Sequence, residues 1–84
     1  MVDVVLYTRP GCPYCTLAKQ LIEKKAVKFK EINIWQDARF KNAMVKRSGG
    51  ASTVPQIFIN DDHIGGCDEL YALDRAGHLD SLLK

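Results

Sequence analysis

The sequence predicts an α/β domain in which a mixed four-stranded sheet carries helices on both faces. Short apolar, β-branched runs alternate with stretches whose apolar residues recur every three or four positions. The runs are typical of strands, and the stretches are typical of amphipathic helices. A helix separates the first two predicted strands, whereas a short turn joins the last two. The predicted order is therefore β-α-β-α-β-β-α, a βαβ unit followed by a ββα unit.

The first half of the chain predicts a strand, a helix and a second strand. Residues 2–7 are apolar or β-branched apart from Asp3, as expected of a strand that is buried on both faces. Pro13 suits the first turn of a helix, and apolar residues continue at helical spacing to about Lys25. Residues 27–34 alternate and predict the second strand. Because a helix joins these strands, we expect them to be parallel, with a right-handed crossover.

A second helix is predicted to begin at Asp37 and to end at the glycine pair 49–50. Four of its residues fall on one side of the helix: Phe40, Ala43, Met44 and Arg47. Residues 56–59 and 63–65 predict two further strands. We expect them to form an antiparallel hairpin, because only a short turn joins them.

The last helix is predicted to open at Cys67 and to be interrupted by Gly77. Three of its small or apolar residues are expected to face inward: Leu70, Leu73 and Ala76. Three leucines beyond the glycine predict a short final turn against the core: Leu79, Leu82 and Leu83.

Length and composition predict a single domain over residues 1–84. Apolar residues make up 46% of the chain and charged residues 26%, an ordinary globular mixture. The net charge of +2 comes from interspersed charges, without the clustered basic face of a nucleic-acid binder. No apolar stretch approaches the roughly 20 residues that span a bilayer, and the first residues show no basic leader or cleavage site. We therefore expect a cytoplasmic monomer without nucleic-acid or membrane partners.

Two of the three cysteines, Cys12 and Cys15, lie three positions apart at the predicted start of the first helix. Residues at this helical spacing have Cβ atoms about 5–6 Å apart, and a disulfide needs about 3.5–4.5 Å. A small tightening of the turn therefore makes both the dithiol and the disulfide accessible. A bridge that closes so short a loop stabilises a fold by only about 2 kcal/mol. The spacing thus favours reversible redox chemistry over a structural bridge.

The place of the pair on the helix predicts unequal roles. Unpaired N–H groups and the helix dipole favour negative charge at the first turn, and the thiolate is the reactive form of cysteine. Cys12 lies at this end and is the more exposed by position, so it is predicted to attack, and the deeper Cys15 to resolve the mixed disulfide. Zinc binding is the alternative, with Cys67 and His63 completing four ligands, but no second paired motif supports it.

Three motifs together resemble a known family. They are Cys-Pro-Tyr-Cys at 12–15, Thr-Val-Pro at 53–55 and Gly-Gly-Cys-Asp at 65–68. The order and the separations of these motifs resemble those of the dithiol glutaredoxins. The resemblance extends over essentially the whole length of the chain. The resemblance implies a thioredoxin-like fold, and glutathione as co-substrate with no tightly bound cofactor and no metal. It also implies the reduction of protein disulfides and of protein–glutathione mixed disulfides.

The resemblance further implies a glutathione site. In it, Val54 pairs with the cysteinyl backbone of glutathione and Pro55 follows a cis peptide bond. The turn before the third helix holds the γ-glutamyl carboxylate, Asp68 meets the γ-glutamyl amine, and Arg9, where the family usually has lysine, meets the glycyl carboxylate. The implied set is Arg9, Tyr14, Thr53, Val54, Pro55, Gly66, Cys67 and Asp68.

Several alternatives stay open at this point. Residues 65–68 also suit a plain helix cap and packing turn, and Cys67 is either a small buried residue or a redox-sensitive accessory thiol. A glutathione-ligated iron–sulfur carrier is disfavoured, because such relatives usually have Gly-Phe-Ser where this chain has Pro-Tyr-Cys at 13–15. Reduction by thioredoxin reductase in place of glutathione is a third possibility.

Overall fold

A computed structural model describes residues 2–84. The strands are β1 (Val4–Thr8), β2 (Lys30–Asn33), β3 (Gln56–Ile59) and β4 (Asp62–Gly65). The helices are α1 (Pro13–Lys24), α2 (Ala38–Arg47), α3 (Cys67–Arg75) and α4 (Leu79–Leu82). The predicted α/β class and element order are confirmed, with the final turn forming a short helix of its own. Within residues 2–84, no helix is both long and apolar enough to cross a membrane.

The four strands form one mixed sheet in the order β2-β1-β3-β4. β1 runs parallel to β2, and β3 and β4 form an antiparallel hairpin, as the lengths of the connections predicted. β1 also pairs antiparallel with β3, with Val4 opposite Ile59 and Tyr7 opposite Gln56. All five residues of β1 are buried, which confirms the prediction of a strand buried on both faces, although the strand spans Val4–Thr8 and not residues 2–7.

Each face of the sheet has its own core. On one face, α1, α3 and α4 cover the sheet through ten buried residues: Val4, Leu6, Ala18, Leu21, Ile22, Ile57, Ile59, Leu70, Leu79 and Leu83. On the other, α2 covers a smaller cluster: Val5, Tyr7, Ile34, Met44 and Phe58. Because successive strand residues point to opposite faces, β1 and β3 contribute to both cores.

The second strand is shorter than predicted. Residues 27–29 lie outside β2, because β1 begins pairing only where Val5 meets Lys30. Val27 and Phe29 are nevertheless half-buried against the larger core. The alternating pattern therefore indicated which side chains face the core, but it did not indicate a hydrogen-bonded strand. An alternating pattern indicates which side chains are buried, whereas a strand also needs a neighbouring strand with which its backbone forms hydrogen bonds.

Two predictions near the end of the chain were wrong in detail. Ala76, expected to face inward, is exposed at the C-cap of α3, and Leu82 is 38% exposed. On α2, only Met44 is fully buried, and Phe40 on the same side is 36% exposed. The amphipathic period fixes the direction of a side chain, but it does not fix how far the sheet beneath it extends.

The topology brings three loops to one edge of the sheet. The loop before α1 leaves the carboxyl end of β1, where Tyr7 pairs with Gln56 at the amino end of β3. Gly65, which ends β4, pairs with Ile57 on the same side. Residues 9–12, 53–55 and 65–67 therefore meet at this edge, although they lie far apart in the sequence.

We expect Met44→Ala to lower the free energy of unfolding by about 2–5 kcal/mol, because it empties a fully buried site under α2. Phe40→Ala, on the same helix but partly exposed, is the matched control and is expected to cost much less. Urea denaturation of both variants measures the difference. Equal losses would show that α2 is not anchored through Met44.

Candidate active site

Cys12 is the N-cap residue of α1. Its backbone is extended (φ −102°, ψ 107°), Pro13 occupies the first helical position, and the N–H of Cys15 donates to the Cys12 sulfur at 3.2 Å. An N-cap side chain ordinarily accepts such a bond through oxygen. Here the sulfur takes that role, and a donated N–H at a helix start favours negative charge on the accepting atom.

Both cysteines of the pair are buried, Cys12 with 6% and Cys15 with 2% of its surface exposed. Cys12 is the more exposed of the two, as predicted, but it is less exposed to solvent than its place at a helix end suggested. The carbonyl of Val54 lies 3.9 Å from the Cys12 sulfur, which donates its thiol hydrogen to it. The loop at 53–55 therefore borders the reactive sulfur directly.

The environment of Cys15 favours its protonated form. Burial, and then its hydrogen bond with Cys12, raise the pKa of Cys15 to about 12. It therefore holds its proton at neutral pH. Cys12, Cys15 and Cys67 are all free thiols.

A groove of about 210 Å³, here called the Val54 groove, lies at the 53–55 loop, whose Val54 carbonyl borders the Cys12 sulfur. It is lined by Tyr14, Thr53, Val54, Pro55, Gly66, Cys67, Asp68 and Glu69. The structure thus brings together every member of the sequence-predicted set except Arg9. The Val54–Pro55 peptide bond is cis, as the resemblance implied.

The start of α3 forms one wall of the groove. Gly66 is its N-cap, and the Glu69 side chain accepts a hydrogen bond from the Gly66 N–H at 2.7 Å. The first N–H groups of the helix itself, at Cys67 and Asp68, have no partner within the helix. Burial, followed by the nearby Asp68 carboxylate, raises the pKa of the Cys67 thiol. Cys67 is therefore a buried, protonated thiol at the wall of the groove.

Both glycines before α3 are needed for close packing. Gly65 has φ +120°, and a Cβ there would lie 2.7 Å from Glu69 Oε1. A Cβ on Gly66 would lie 3.3 Å from the carbonyl oxygen of Pro55. A side chain at Gly65 would therefore displace Glu69, and one at Gly66 would crowd the carbonyl of Pro55.

Arg9 lies outside the groove. It lines a separate cavity of about 430 Å³, here called the Arg9 cavity, together with Cys12, Cys15, Lys19 and Glu31. The two spaces share no lining residue. The Arg9 guanidinium lies 5.6 Å from the centre of the Trp35 ring, within range of a cation–π contact.

Sequence reasoning missed a polar cluster in the Arg9 cavity. The Thr8 hydroxyl donates to Glu31 at 2.7 Å, and Lys19 pairs with the same carboxylate at 3.0 Å. The Thr8 bond, and then Lys19, lower the pKa of Glu31, which is therefore ionised at neutral pH. Sequence reasoning also missed Glu69 as a residue that lines the Val54 groove. Its place at N3 of α3, the position that capping-box side chains occupy, was the available signal.

Among residues 2–84, no three or more His, Cys, Asp or Glu side chains are grouped as metal ligands. The zinc alternative required Cys12, Cys15, Cys67 and His63 to converge, and they do not form such a group. His63 instead bonds to Gln56, at 2.6 Å between His63 Nε2 and Gln56 Oε1.

Comparison with known proteins identifies the family. The glutaredoxin family model matches residues 4–64. The chain belongs to the glutaredoxin family. Across its whole length it is 55% identical to glutaredoxin 3 of Escherichia coli K12, all of which is covered.

Solved glutaredoxins share the fold. The solution structure of glutaredoxin from Brucella melitensis is 55% identical, with a TM-score of 0.86 over 100% of this chain and 90% of that one. A crystal structure of a buckwheat glutaredoxin–glutathione complex is 30% identical, with a TM-score of 0.86 over 95% of this chain and 74% of that one. This protein is therefore a thiol–disulfide oxidoreductase with the thioredoxin-like fold.

We expect iodoacetamide to label Cys12 of this glutaredoxin well before Cys15 between pH 7 and 9. Cys15, with its pKa near 12, stays protonated in this range and gains reactivity only as the pH rises further. Mass spectrometry of the labelled peptides follows each thiol separately. Because burial is the main cause, Cys15 is expected to stay slow in Cys12→Ser and to react at an ordinary rate in urea. Rapid labelling of Cys15 in the folded protein would contradict this assignment.

Proposed function

We propose that this glutaredoxin reduces protein disulfides and protein–glutathione mixed disulfides, with glutathione as its reductant. The observation that carries the proposal is the Val54 groove, which joins an exposed loop backbone to a helix start within reach of the Cys12 sulfur. The buckwheat relative, of similar fold, is known in complex with glutathione, which supports the proposal.

The chemistry of glutathione matches the groove. The backbone of its cysteinyl residue would pair with Val54, as a peptide strand adds to a free backbone edge. Its γ-glutamyl carboxylate would accept from the first N–H groups of α3, and the Asp68 carboxylate would pair with its amine. Held in this way, the sulfur of glutathione would lie beside Cys12. We propose glutathione as a co-substrate, with no tightly bound cofactor.

The Arg9 position also matters for a ligand that carries two carboxylates. The glycyl carboxylate would lie at the end of glutathione away from α3. Arg9 meets it only if the ligand extends from the groove past Cys12 towards the Arg9 cavity. We propose that Arg9 attracts this carboxylate and the Cys12 thiolate together, and that Trp35 limits the movement of its guanidinium.

Deglutathionylation would need Cys12 alone. The Cys12 thiolate attacks the glutathione sulfur of the mixed disulfide, and the protein thiolate leaves and takes a proton from water. The thiolate of a second glutathione then attacks the glutathione sulfur of this adduct. That step releases oxidised glutathione and restores the Cys12 thiolate.

Reduction of a protein disulfide would use both cysteines. Cys12 attacks one substrate sulfur and breaks the disulfide. Cys15 then attacks the Cys12 sulfur, losing its proton to the departing substrate thiolate, so that the substrate leaves reduced and Cys12–Cys15 is oxidised. Two glutathione molecules return the pair to the dithiol. Since Cys15 is protonated at rest, a nearby leaving thiolate provides the base that this step needs.

The remaining assignments are also proposals. We propose that residues 1–84 form one domain, which acts as a monomer in the cytoplasm on disulfide-containing or glutathionylated proteins. The two cores share one sheet, which supports a single folding unit. Basic and acidic residues are interspersed along the chain, which supports small-molecule and protein partners over nucleic acid.

We expect Cys12→Ser to abolish the glutathione-dependent reduction of both a disulfide protein and a glutathionylated peptide. Cys15→Ser is expected to retain most deglutathionylation and to lose disulfide reduction. Cys67→Ser, at a third buried thiol, is the matched control and is expected to retain both. NADPH consumption coupled to glutathione reductase measures each reaction. Activity that survives Cys12→Ser would disprove the assignment of Cys12 as the nucleophile.

A donor control accompanies these assays. Glutathione and its reductase are replaced by thioredoxin reductase, with NADPH supplied in both cases. We expect turnover with glutathione to exceed turnover with thioredoxin reductase by more than about tenfold, because the proposed hydrogen bonds in the Val54 groove would favour glutathione. The reverse order would replace glutathione as the proposed electron donor.

A further inference from the structure

Gln56 is a buried polar residue within an otherwise apolar strand. Only 4% of its surface is exposed, and the rest of β3 is apolar and buried. An amide in such a place must find partners for its polar atoms, because unpaired ones are costly to bury. Gln56 finds them in the loop before β3 and on the neighbouring strand β4.

The hydrogen bonds of Gln56 have only one consistent arrangement. Its Nε2 donates to the Thr53 carbonyl oxygen at 3.0 Å, and Thr53 Oγ1 lies 3.4 Å from the same nitrogen. Since a carbonyl oxygen only accepts, the amide nitrogen must face Thr53 and the amide oxygen must face His63. His63 Nε2, 2.6 Å from Gln56 Oε1, must then carry a hydrogen and donate it.

This chain of bonds acts on the backbone that faces the groove. The Thr53 carbonyl and the Val54 N–H belong to one trans peptide group, in which they point in opposite directions. A donor that holds the carbonyl from the core side therefore directs the Val54 N–H away from the core. The bond to the carbonyl also polarises the same peptide group, which strengthens its N–H as a donor.

We propose that Gln56 is a positioning residue for glutathione recognition, which sets the orientation of the Val54 N–H through the Thr53 carbonyl. His63 fixes the orientation of the Gln56 amide, with its oxygen towards His63 and its nitrogen towards Thr53. The His63 ring packs against Phe58, and the two ring centres are 5.0 Å apart. The inference rests on the proposed function, because it assumes that Val54 pairs with the glutathione backbone. Neither side chain lines the Val54 groove.

Two variants remove the donor to Thr53. Gln56→Met keeps the length of the side chain without polar atoms, and Gln56→Leu replaces the amide with a shorter apolar side chain. We expect each to raise the KM for a glutathionylated peptide by about 5–10-fold, the range of one lost hydrogen bond, with kcat changed less than about twofold. Loss of uniform binding has this signature, whereas a damaged Cys12 would lower kcat.

A second pair of variants, at His63, tests the same set of hydrogen bonds. His63 is exposed, so we expect these variants to fold normally. His63→Phe keeps a ring against Phe58 but has no donor, and is expected to raise KM by about 2–5-fold. His63→Gln retains an N–H donor and is expected to restore KM towards the wild-type value. Ile57→Val, a buried change on the neighbouring residue of β3, is the stability control and is expected to leave KM unchanged.

The rate at which iodoacetamide labels Cys12 separates positioning from general damage. We expect this rate to be within twofold of wild type in the Gln56 and His63 variants, since iodoacetamide makes no use of the Val54 backbone. An unchanged KM in Gln56→Met and His63→Phe would overturn the proposal. So would a KM increase accompanied by an equal loss of Cys12 labelling. If the wild-type protein showed no glutathione-dependent turnover, the proposed function itself would fail instead.

Discussion

The hydrogen bond from the Cys15 N–H to the Cys12 sulfur is the contact on which the rest of the site depends. It makes the sulfur both the cap of α1 and the reactive atom, so the helix that supports the core also orients the nucleophile. Pro13 fits the turn because its missing N–H would have no partner there. Once Cys12 is the cap, Cys15 lies one turn into the helix, where burial keeps it protonated. One local arrangement thus makes two nearby thiols chemically unequal.

The sheet then decides what stands next to this sulfur. Because β3 runs antiparallel to β1, the loop before β3 arrives at the edge where α1 begins. The β3–β4 hairpin returns the chain to that edge, and Gly66 lets α3 start close against Pro55. A groove with a free backbone edge on one side and a helix start on the other follows from this order of strands.

Much of this was predictable from local patterns. The strands, the helix starts at Pro13 and Cys67, the parallel β1–β2 pair and the β3–β4 hairpin all follow from spacing and connection length. Tyr14, the 53–55 loop and residues 66–68 were predicted to share a site through family resemblance, and they line one groove. Their roles in binding glutathione remain predictions.

What the sequence did not predict depends on register between distant segments. Thr8 meets Glu31 because of how β1 and β2 align, and Gln56 meets His63 because of how β3 and β4 align. Neither pair has a signal in its local sequence. Arg9 was expected beside the groove residues but lines the Arg9 cavity, because the loop after β1 turns it towards Trp35 and the end of β2. The exposure of Phe40 likewise depends on where the sheet ends beneath α2.

In the proposed function, glutathione attached to Cys12 lies in the Val54 groove. Nuclear magnetic resonance of Cys15→Ser, in which the second cysteine cannot resolve the adduct, tests this placement. When the Cys12–glutathione disulfide forms, we expect the largest amide shifts at Val54, Cys67 and Asp68, with slower hydrogen exchange of the Val54 N–H. Shifts concentrated at Lys19 and Glu31 in the Arg9 cavity, with Val54 unchanged, would contradict it.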